Sequence, residues 1–384
     1  MNGGAVLINS AKQTNPLVSY IKDRIAERPE AAVTFREYME WCLYHASYGY
    51  YTSDKPKVGK SGDFYTSSAV GGIFGGLVAR ALSKLMGDEW KEGPVRIVEW
   101  GAGTGQLALQ LLDELQARFP GIYERLTYVA VERSRYHAER LLSLLEPHRG
   151  HVQTMEPDQW LAEQVQTDGP GIAVISNELL DAFAVHRIRR RNGELYELHV
   201  GWDDEKDCFK EKELPCNNED VLHYITEERI RLAEGQTAEV NLDASRWLER
   251  TAAAVGNGVL ITIDYGDAAE ELYSPHRMNG TFVCYRNHLA LDDPYRFAGE
   301  QDMTAHVNFS ALIRSGKQAG LADWKLMTQK QFLLEAGILE LLMEHASTDP
   351  FGPEARRNRA VRQLLLSDQM SELFKVLIQR KAVD

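Results

Sequence analysis

The stretch Ile97-Val98-Glu99-Trp100-Gly101-Ala102-Gly103-Thr104-Gly105-Gln106 decides how this chain is read. Its apolar start marks the end of a buried parallel strand, and three glycines within five residues let the backbone turn sharply and approach a ligand closely. The amphipathic segment Leu107 to Phe119 then supplies the helix under that ligand. Strand, glycine turn and helix in this order predict an α/β, Rossmann-like sheet, although an ordinary strand-to-helix turn with Glu99 as a solvated cap would look similar.

Two acids discriminate between the cofactors that use such loops. Glu99 stands at the strand tip just before the first glycine, where a dinucleotide pyrophosphate would be repelled and the amino group and sulfonium of S-adenosylmethionine (SAM) would be favoured. Glu132 ends the strand Leu126 to Val131. It lies farther past the last glycine than the roughly 20 residues of the dinucleotide fingerprint, yet at the tip of the adjacent strand, where it could accept both ribose hydroxyls. The spacing therefore favours SAM over NAD, with Glu99, Gly101, Gly103, Gly105 and Glu132 as cofactor-binding residues. An NAD-dependent oxidoreductase is the less favoured reading.

With 384 residues the chain can bury a large core and carry an appended or inserted region. Hydrophobic content of 44% and charged content of 26% are those of a globular protein. A net charge of -13 argues against nucleic-acid or anionic-membrane binding and is compatible with a cationic substrate. Four scattered cysteines form no metal-ligand or CxxC pattern, so no metal is expected and a reducing cytoplasm is the expected location. Neither a targeting peptide nor an apolar run of membrane-spanning length is evident.

Along the chain, Asn15 and Pro16 open a helix to Arg28, and Thr34 with Glu37 forms a capping box before Phe35 to Tyr44. The loop Gly62-Asp63-Phe64-Tyr65-Thr66-Ser67-Ser68 reads as a polar ligand wall preceding a helix Ala69 to Met86. Asp158 is either an adenine neighbour or a helix cap. A buried strand from Ile172 delivers Asn177 and Glu178 at its carboxyl end, beside the strand carrying Glu99, where open α/β sheets place their chemistry. Residues 185–200 alternate around Asn192-Gly193 and read as a hairpin, its arginines 187 and 189–191 being solvated charges on a strand edge. Residues 202–240 are irregular and complete this inserted sheet. Further expectations are a helix Asp243 to Ala254, a strand Val259 to Gly266, a helix opened by Ser310, terminal strands around Gln329 and Phe332, and a mainly helical last fifty residues.

The series Tyr48-Gly49-Tyr50-Tyr51, Gly62-Asp63-Phe64-x-Thr66-Ser67, Glu99-x-Gly101-x-Gly103-x-Gly105, Glu132, Asn177-Glu178-x-x-Asp181-Ala182, Asp264-Tyr265-Gly266, Gly280-Thr281, Tyr285, His288 and Asp302-x-Thr304-Ala305-His306-Val307-x-Phe309 resembles the MidA family of SAM-dependent methyltransferases. The resemblance runs in order from about residue 15 to the final strands. It implies a class I methyltransferase sheet with an N-terminal helical region (1–90), a SAM-binding core (91–184), an inserted β-rich subdomain (185–240) and the rest of the core with substrate-side loops and C-terminal helices (241–384). Mitochondrial members assemble complex I and symmetrically dimethylate a protein arginine; what bacterial-type members modify is left open. Gly62, Asp63, Thr66 and Asn177 join the cofactor set by this resemblance. If a guanidinium is the acceptor, carboxylates must hold the cation and a base must take its proton, which selects Glu178 and Asp181, with His306 as base or orienter. A protein substrate is expected, and a homodimer is compatible with the sequence. The alternative from another class is a non-catalytic SAM-binding assembly scaffold.

Overall fold

The computed structural model describes residues 15–53, 72–163, 171–255, 258–343, 349, 352–367 and 372–381. Its strands, in chain order, are β1 (Ala32–Thr34), β2 (Val95–Trp100), β3 (Leu126–Val131), β4 (Val152–Met155), β5 (Ile172–Asn177), β6 (His186–Arg191), β7 (Glu194–Asp203), β8 (Cys208–Pro215), β9 (Thr237–Val240), β10 (Val259–Asp267), β11 (Val283–Arg286), β12 (Leu289–Leu291), β13 (Asp302–Thr304), β14 (Val307–Asn308), β15 (Asp323–Thr328) and β16 (Phe374–Arg380).

The main sheet runs β15-β16-β10-β5-β2-β3-β4, with β14 pairing at the end of β10. Strands β4, β3, β2, β5 and β10 are mutually parallel, whereas β16 is antiparallel to both β10 and β15. The interior strands read as continuous apolar runs because both faces are covered. Phe74–Met86 and Gln106–Arg118 pack on one face with Ile97, Tyr128 and Ile261. On the other, Val98, Val174 and Leu260 meet Leu248 of the helix Leu242–Val255 and Leu312 of the helix Phe309–Gln318. Parallel strands end on a common rim, so β2, β3, β5 and β10 deliver Glu99, Glu132, Glu178 and Asp264 to one edge of the sheet. The chain reverses its order between β2 and β5, which makes the crevice there the place for a ligand.

The second sheet has the order β1-β7-β6-β9, with β8 on β7, and is antiparallel throughout. The β6–β7 turn uses positive φ at Asn192 and Gly193, as its sequence requires. Residues 202–240 are more regular than the sequence suggests, with β8, a helix Glu219–Glu227 and β9. The arginines of β6 are not on a free edge. β6 lies between β7 and β9, and Arg187, Arg189 and Arg191 reach across to Glu239, Glu211 and Glu213. Cross-strand acids, invisible to a local reading, turn a supposed charge fence into ion pairs.

Other local expectations shift for equally local reasons. Thr328 and Gln331 form a capping box, so Gln329 and Phe332 sit in the helix Gln329–Glu335 and the strand stops at Thr328. The helix Phe309–Gln318 is capped by Asn308, whose carboxamide accepts from Ser310 and Ala311, rather than by Ser310. The last fifty residues hold a helix, Pro353–Leu366, but also β16, which is inserted between β10 and β15. Among the described residues no helix is long and apolar enough to cross a membrane.

One glycine ties the main sheet to the loop that follows β13. Gly266 pairs with Val307 so closely that a Cβ would lie 2.1 Å from the Val307 carbonyl oxygen. A backbone obstacle cannot swing aside as a side chain can. Gly266→Ala should therefore lower unfolding free energy by on the order of 3 kcal/mol in chemical denaturation, where an unperturbed midpoint would contradict this packing.

Candidate active site

A cavity of about 450 Å³ opens at the carboxyl rim of β2, β3 and β5, within the range of small-molecule sites. Its floor is the glycine loop. Gly101, Gly103 and Gly105 have φ of 69°, 55° and 86°, so all three need the left-handed region. A Cβ on Gly101 would stand 2.8 Å from the Leu179 side chain, and one on Gly105 would stand 2.9 Å from Leu141. At Gly103 a Cβ would meet only the Gly101 carbonyl oxygen, at 4.0 Å. The Gly103 N–H donates to Glu132 Oε2 at 2.8 Å, and the Ser134 N–H donates to Glu132 Oε1 at 2.7 Å. Two amides thus fix the carboxylate at the cavity wall.

Glu99 is buried at the cavity wall, with the Tyr128 hydroxyl donating to Oε2 at 2.5 Å. Burial, reinforced by the nearby Glu132 charge, pushes its carboxyl up to about 8 against the lowering effect of that hydroxyl. Asn177 and Trp100 also line the cavity, and Asn177 Oδ1 and Trp100 Nε1 are buried without a hydrogen-bond partner among the described residues. Two carboxylates, an orphaned carboxamide oxygen and close-approach glycines suit a ligand with an ammonium, a ribose and a sulfonium; a pyrophosphate would face acids on two sides.

The roof comes from the N-terminal helical region, outside the expected cofactor residues. Arg36, Glu40 and Tyr44, spaced four apart on the helix Phe35–Tyr44, all face the cavity. Arg36 binds Asp243 at 2.5 Å, Glu40 binds Arg133 at 3.6 Å, and the Tyr44 hydroxyl donates to the Ala182 carbonyl at 2.9 Å. That i, i+4, i+8 polar face was legible in the sequence, but its partners on three other elements were not. Pro157, rather than Asp158, reaches the cavity; the Asp158 side chain is almost fully exposed beside Arg250.

Beyond Glu178 lies a crowded set of acids. Glu178 lines the cavity, and its φ of 53° is unusual for a residue with a side chain. Asp181, Asp264 and Asp302 are buried behind it, and the Tyr51 hydroxyl donates to Asp302 at 2.8 Å. Desolvation, then Asp264, Asp302 and Glu178 in that order, hold the Asp181 carboxyl well above the usual carboxylate range. Burial brings Asp264 to about 7 despite four backbone amides that oppose it. Among the described residues no group of three or more His, Cys, Asp or Glu is arranged to hold a metal.

Two of the expected residues lie off the cavity wall. Asp181 does not reach the cavity wall, because the turn after Glu178 is drawn inward onto Asp264. His306 is not among the described residues lining the cavity either. Pairing of β14 with the end of β10 stacks its ring along Tyr265 at 6.3 Å, and burial, with Arg277, lowers it to about 4. Gly62, Asp63 and Thr66 lie outside the described residues.

A five-stranded parallel run closed by an antiparallel strand, with acids at the tips of β2 and β3 flanking a glycine loop, defines a class I SAM-dependent methyltransferase. Comparison with known proteins agrees. Residues 77–326 match Methyltransf_28, the S-adenosyl-L-methionine-dependent methyltransferase family, and the chain belongs to that MidA-like family. A Burkholderia thailandensis crystal structure bound to S-adenosyl-homocysteine superposes with a TM-score of 0.82 at 29% identity, covering 96% of this chain and 92% of that one. A native structure from the same organism gives 0.80 at 30% identity over the same shares. Among curated proteins, a mitochondrial protein arginine methyltransferase NDUFAF7 homolog from Caenorhabditis elegans is 24% identical over 86% of this chain and 78% of its own length. The human protein arginine methyltransferase NDUFAF7 is 23% identical over 86% and 76%.

The raised Glu99 carboxyl has a measurable consequence. In the free protein it keeps its proton below about pH 8, while the cofactor ammonium it would hold favours the ionised form. Binding of S-adenosyl-homocysteine at pH 7 should therefore release close to one proton, and the release should fade above about pH 8. Calorimetry in two buffers of different ionisation heat reads this directly. Glu99→Gln should abolish the buffer dependence; identical heats in both buffers for the unaltered protein would refute the assignment.

Proposed function

We propose that this methyltransferase modifies a guanidinium nitrogen of a protein arginine. The observation that carries the reading is the acidic cluster just beyond the cofactor loop. Glu178 faces the cavity, and Asp181, Asp264 and Asp302 are buried behind it. Carboxyls crowded in this way gain from a cationic occupant, which favours their ionised forms, and disfavour a carboxylate acceptor. Tyr44 and Tyr51, stacked at 5.6 Å and both at the cavity, add an aromatic wall suited to a planar cation. The arginine methyltransferase names of the curated relatives support the same substrate class.

When bound, SAM supplies a methyl carbon already activated by its sulfonium, so transfer is an in-line displacement. The chain's own work is alignment, charge and proton handling. Glu132 and the glycine loop fix the cofactor end of the cavity, and the roof helix, tied by Arg36–Asp243 and Glu40–Arg133, limits water access. Glu178 holds the acceptor cation and takes the proton that its nitrogen must lose. Asp181 and His306 do not line the cavity and are assigned no step of this chemistry.

Incubating the protein with tritiated SAM and lysate from cells lacking it, followed by complete hydrolysis, tests the reading. Label should appear in methylated arginine; label confined to lysine or to base-labile esters would overturn it. Glu178→Gln should keep S-adenosyl-homocysteine affinity within about threefold while slowing labelling by about 100-fold, as expected for a lost general base. Labelling at the unaltered rate would remove Glu178 from the chemistry.

A further inference from the structure

Asp264 is completely buried and does not line the cavity. Its Oδ2 accepts from the backbone N–H groups of Leu179 at 3.2 Å, Leu180 at 2.8 Å and Asp181 at 3.4 Å, while Oδ1 accepts from Tyr265 at 2.9 Å. Three consecutive amides converging on one oxygen require a tight turn, and the residue that begins it is Glu178. That residue occupies the left-handed region, which a side chain makes unfavourable and which persists only where the surroundings over-determine it.

The surroundings do so on every side. The Glu178 N–H donates to the Ile263 carbonyl at 2.9 Å, on the same strand as Asp264. Asn241 Nδ2 donates to the Leu180 carbonyl at 3.0 Å, the Ala305 N–H to the Asp181 carbonyl at 2.9 Å, and the Tyr44 hydroxyl to the Ala182 carbonyl. Leu180 is buried in the core beneath. Of these contacts, only Asp264 binds several residues of the turn at once, and only it would leave three amide donors without an acceptor on removal.

We infer that Asp264 is a positioning residue: its carboxylate gathers the amides of residues 179–181 and thereby holds Glu178 in the left-handed conformation that presents its side chain to the acceptor end of the cavity. The inference rests on the proposed role of Glu178. It adds that the aim of this side chain is set from the neighbouring strand. It also gives a use to an acid in a cluster where its charge is unfavourable, since a neutral carboxamide offers one acceptor oxygen and cannot serve both the three amides and Tyr265.

Asp264→Asn and Asp264→Ala, compared with Thr262→Ala as a packing control on the same strand, test it. Thr262 is buried, does not line the cavity and makes no hydrogen bond to residues 179–181. Both Asp264 variants should bind S-adenosyl-homocysteine within about threefold of the unaltered protein. Labelling of lysate protein from tritiated SAM should fall about tenfold in Asp264→Asn and about 100-fold in Asp264→Ala, with Thr262→Ala near the unaltered rate. Crystal structures of Asp264→Asn and the unaltered protein give a readout that needs no acceptor: residue 178 should leave positive φ in the variant and its carboxylate should move. Retention of φ near 53° and of the carboxylate position, or unaltered labelling by Asp264→Ala, overturns the inference. If the unaltered protein labels no arginine, the substrate reading fails while the displacement of residue 178 still decides this one; should Asp264→Ala not fold, Asp264→Asn carries the comparison.

Discussion

Parallel strands that end on one rim bring their terminal side chains together, and here those side chains are acids. β2, β3, β5 and β10 place Glu99, Glu132, Glu178 and Asp264 at one edge of the sheet, and β13 adds Asp302. In a buried setting such crowding is costly unless each charge is neutralised, hydrogen-bonded or matched by a ligand cation. The structure answers each acid differently, and Glu178 accepts from Asn177 Nδ2 at 3.3 Å. Tyr128 serves Glu99, two loop amides serve Glu132, four amides serve Asp264, and Tyr51 serves Asp302.

What remains after that accounting is a gradient of environments along one cavity. At the cofactor end a carboxyl raised to about 8 and a doubly bonded carboxylate flank the glycine loop. At the far end Glu178 stands in front of two more buried acids. Two cationic partners, an ammonium–sulfonium cofactor and a basic acceptor, are the ligands that such a surface favours. The helix Phe35–Tyr44 completes the arrangement by closing the cavity from above, with Arg36 and Glu40 tying the roof to Asp243 and Arg133.

The central motif was legible because its demands are local. Three glycines at positive φ, the strand before them and the helix after them follow from residues 97–119 alone, and the capping box at Thr34 and Glu37 formed as its sequence requires. Features that depend on distant partners were not legible. The β6 arginines look like an edge until β8 and β9 bring their glutamates alongside, and β16 inserts into the sheet from the far end of the chain. Asp181 shares a side of its turn with Glu178 by spacing, yet Asp264, more than eighty residues later, pulls that turn inward. His306 shows the same limit: its motif is local, but its position follows from the contact of Gly266 with Val307.

The claim that the rim acids are arranged for SAM is tested most directly by a crystal structure of this protein with S-adenosyl-homocysteine. The account places both ribose hydroxyls on Glu132, the ammonium within hydrogen-bond reach of Glu99 or Asn177 Oδ1, and the sulfur turned toward Glu178. A ligand bound with its ribose away from Glu132, or with its sulfur turned from Glu178 and out to solvent, would contradict it.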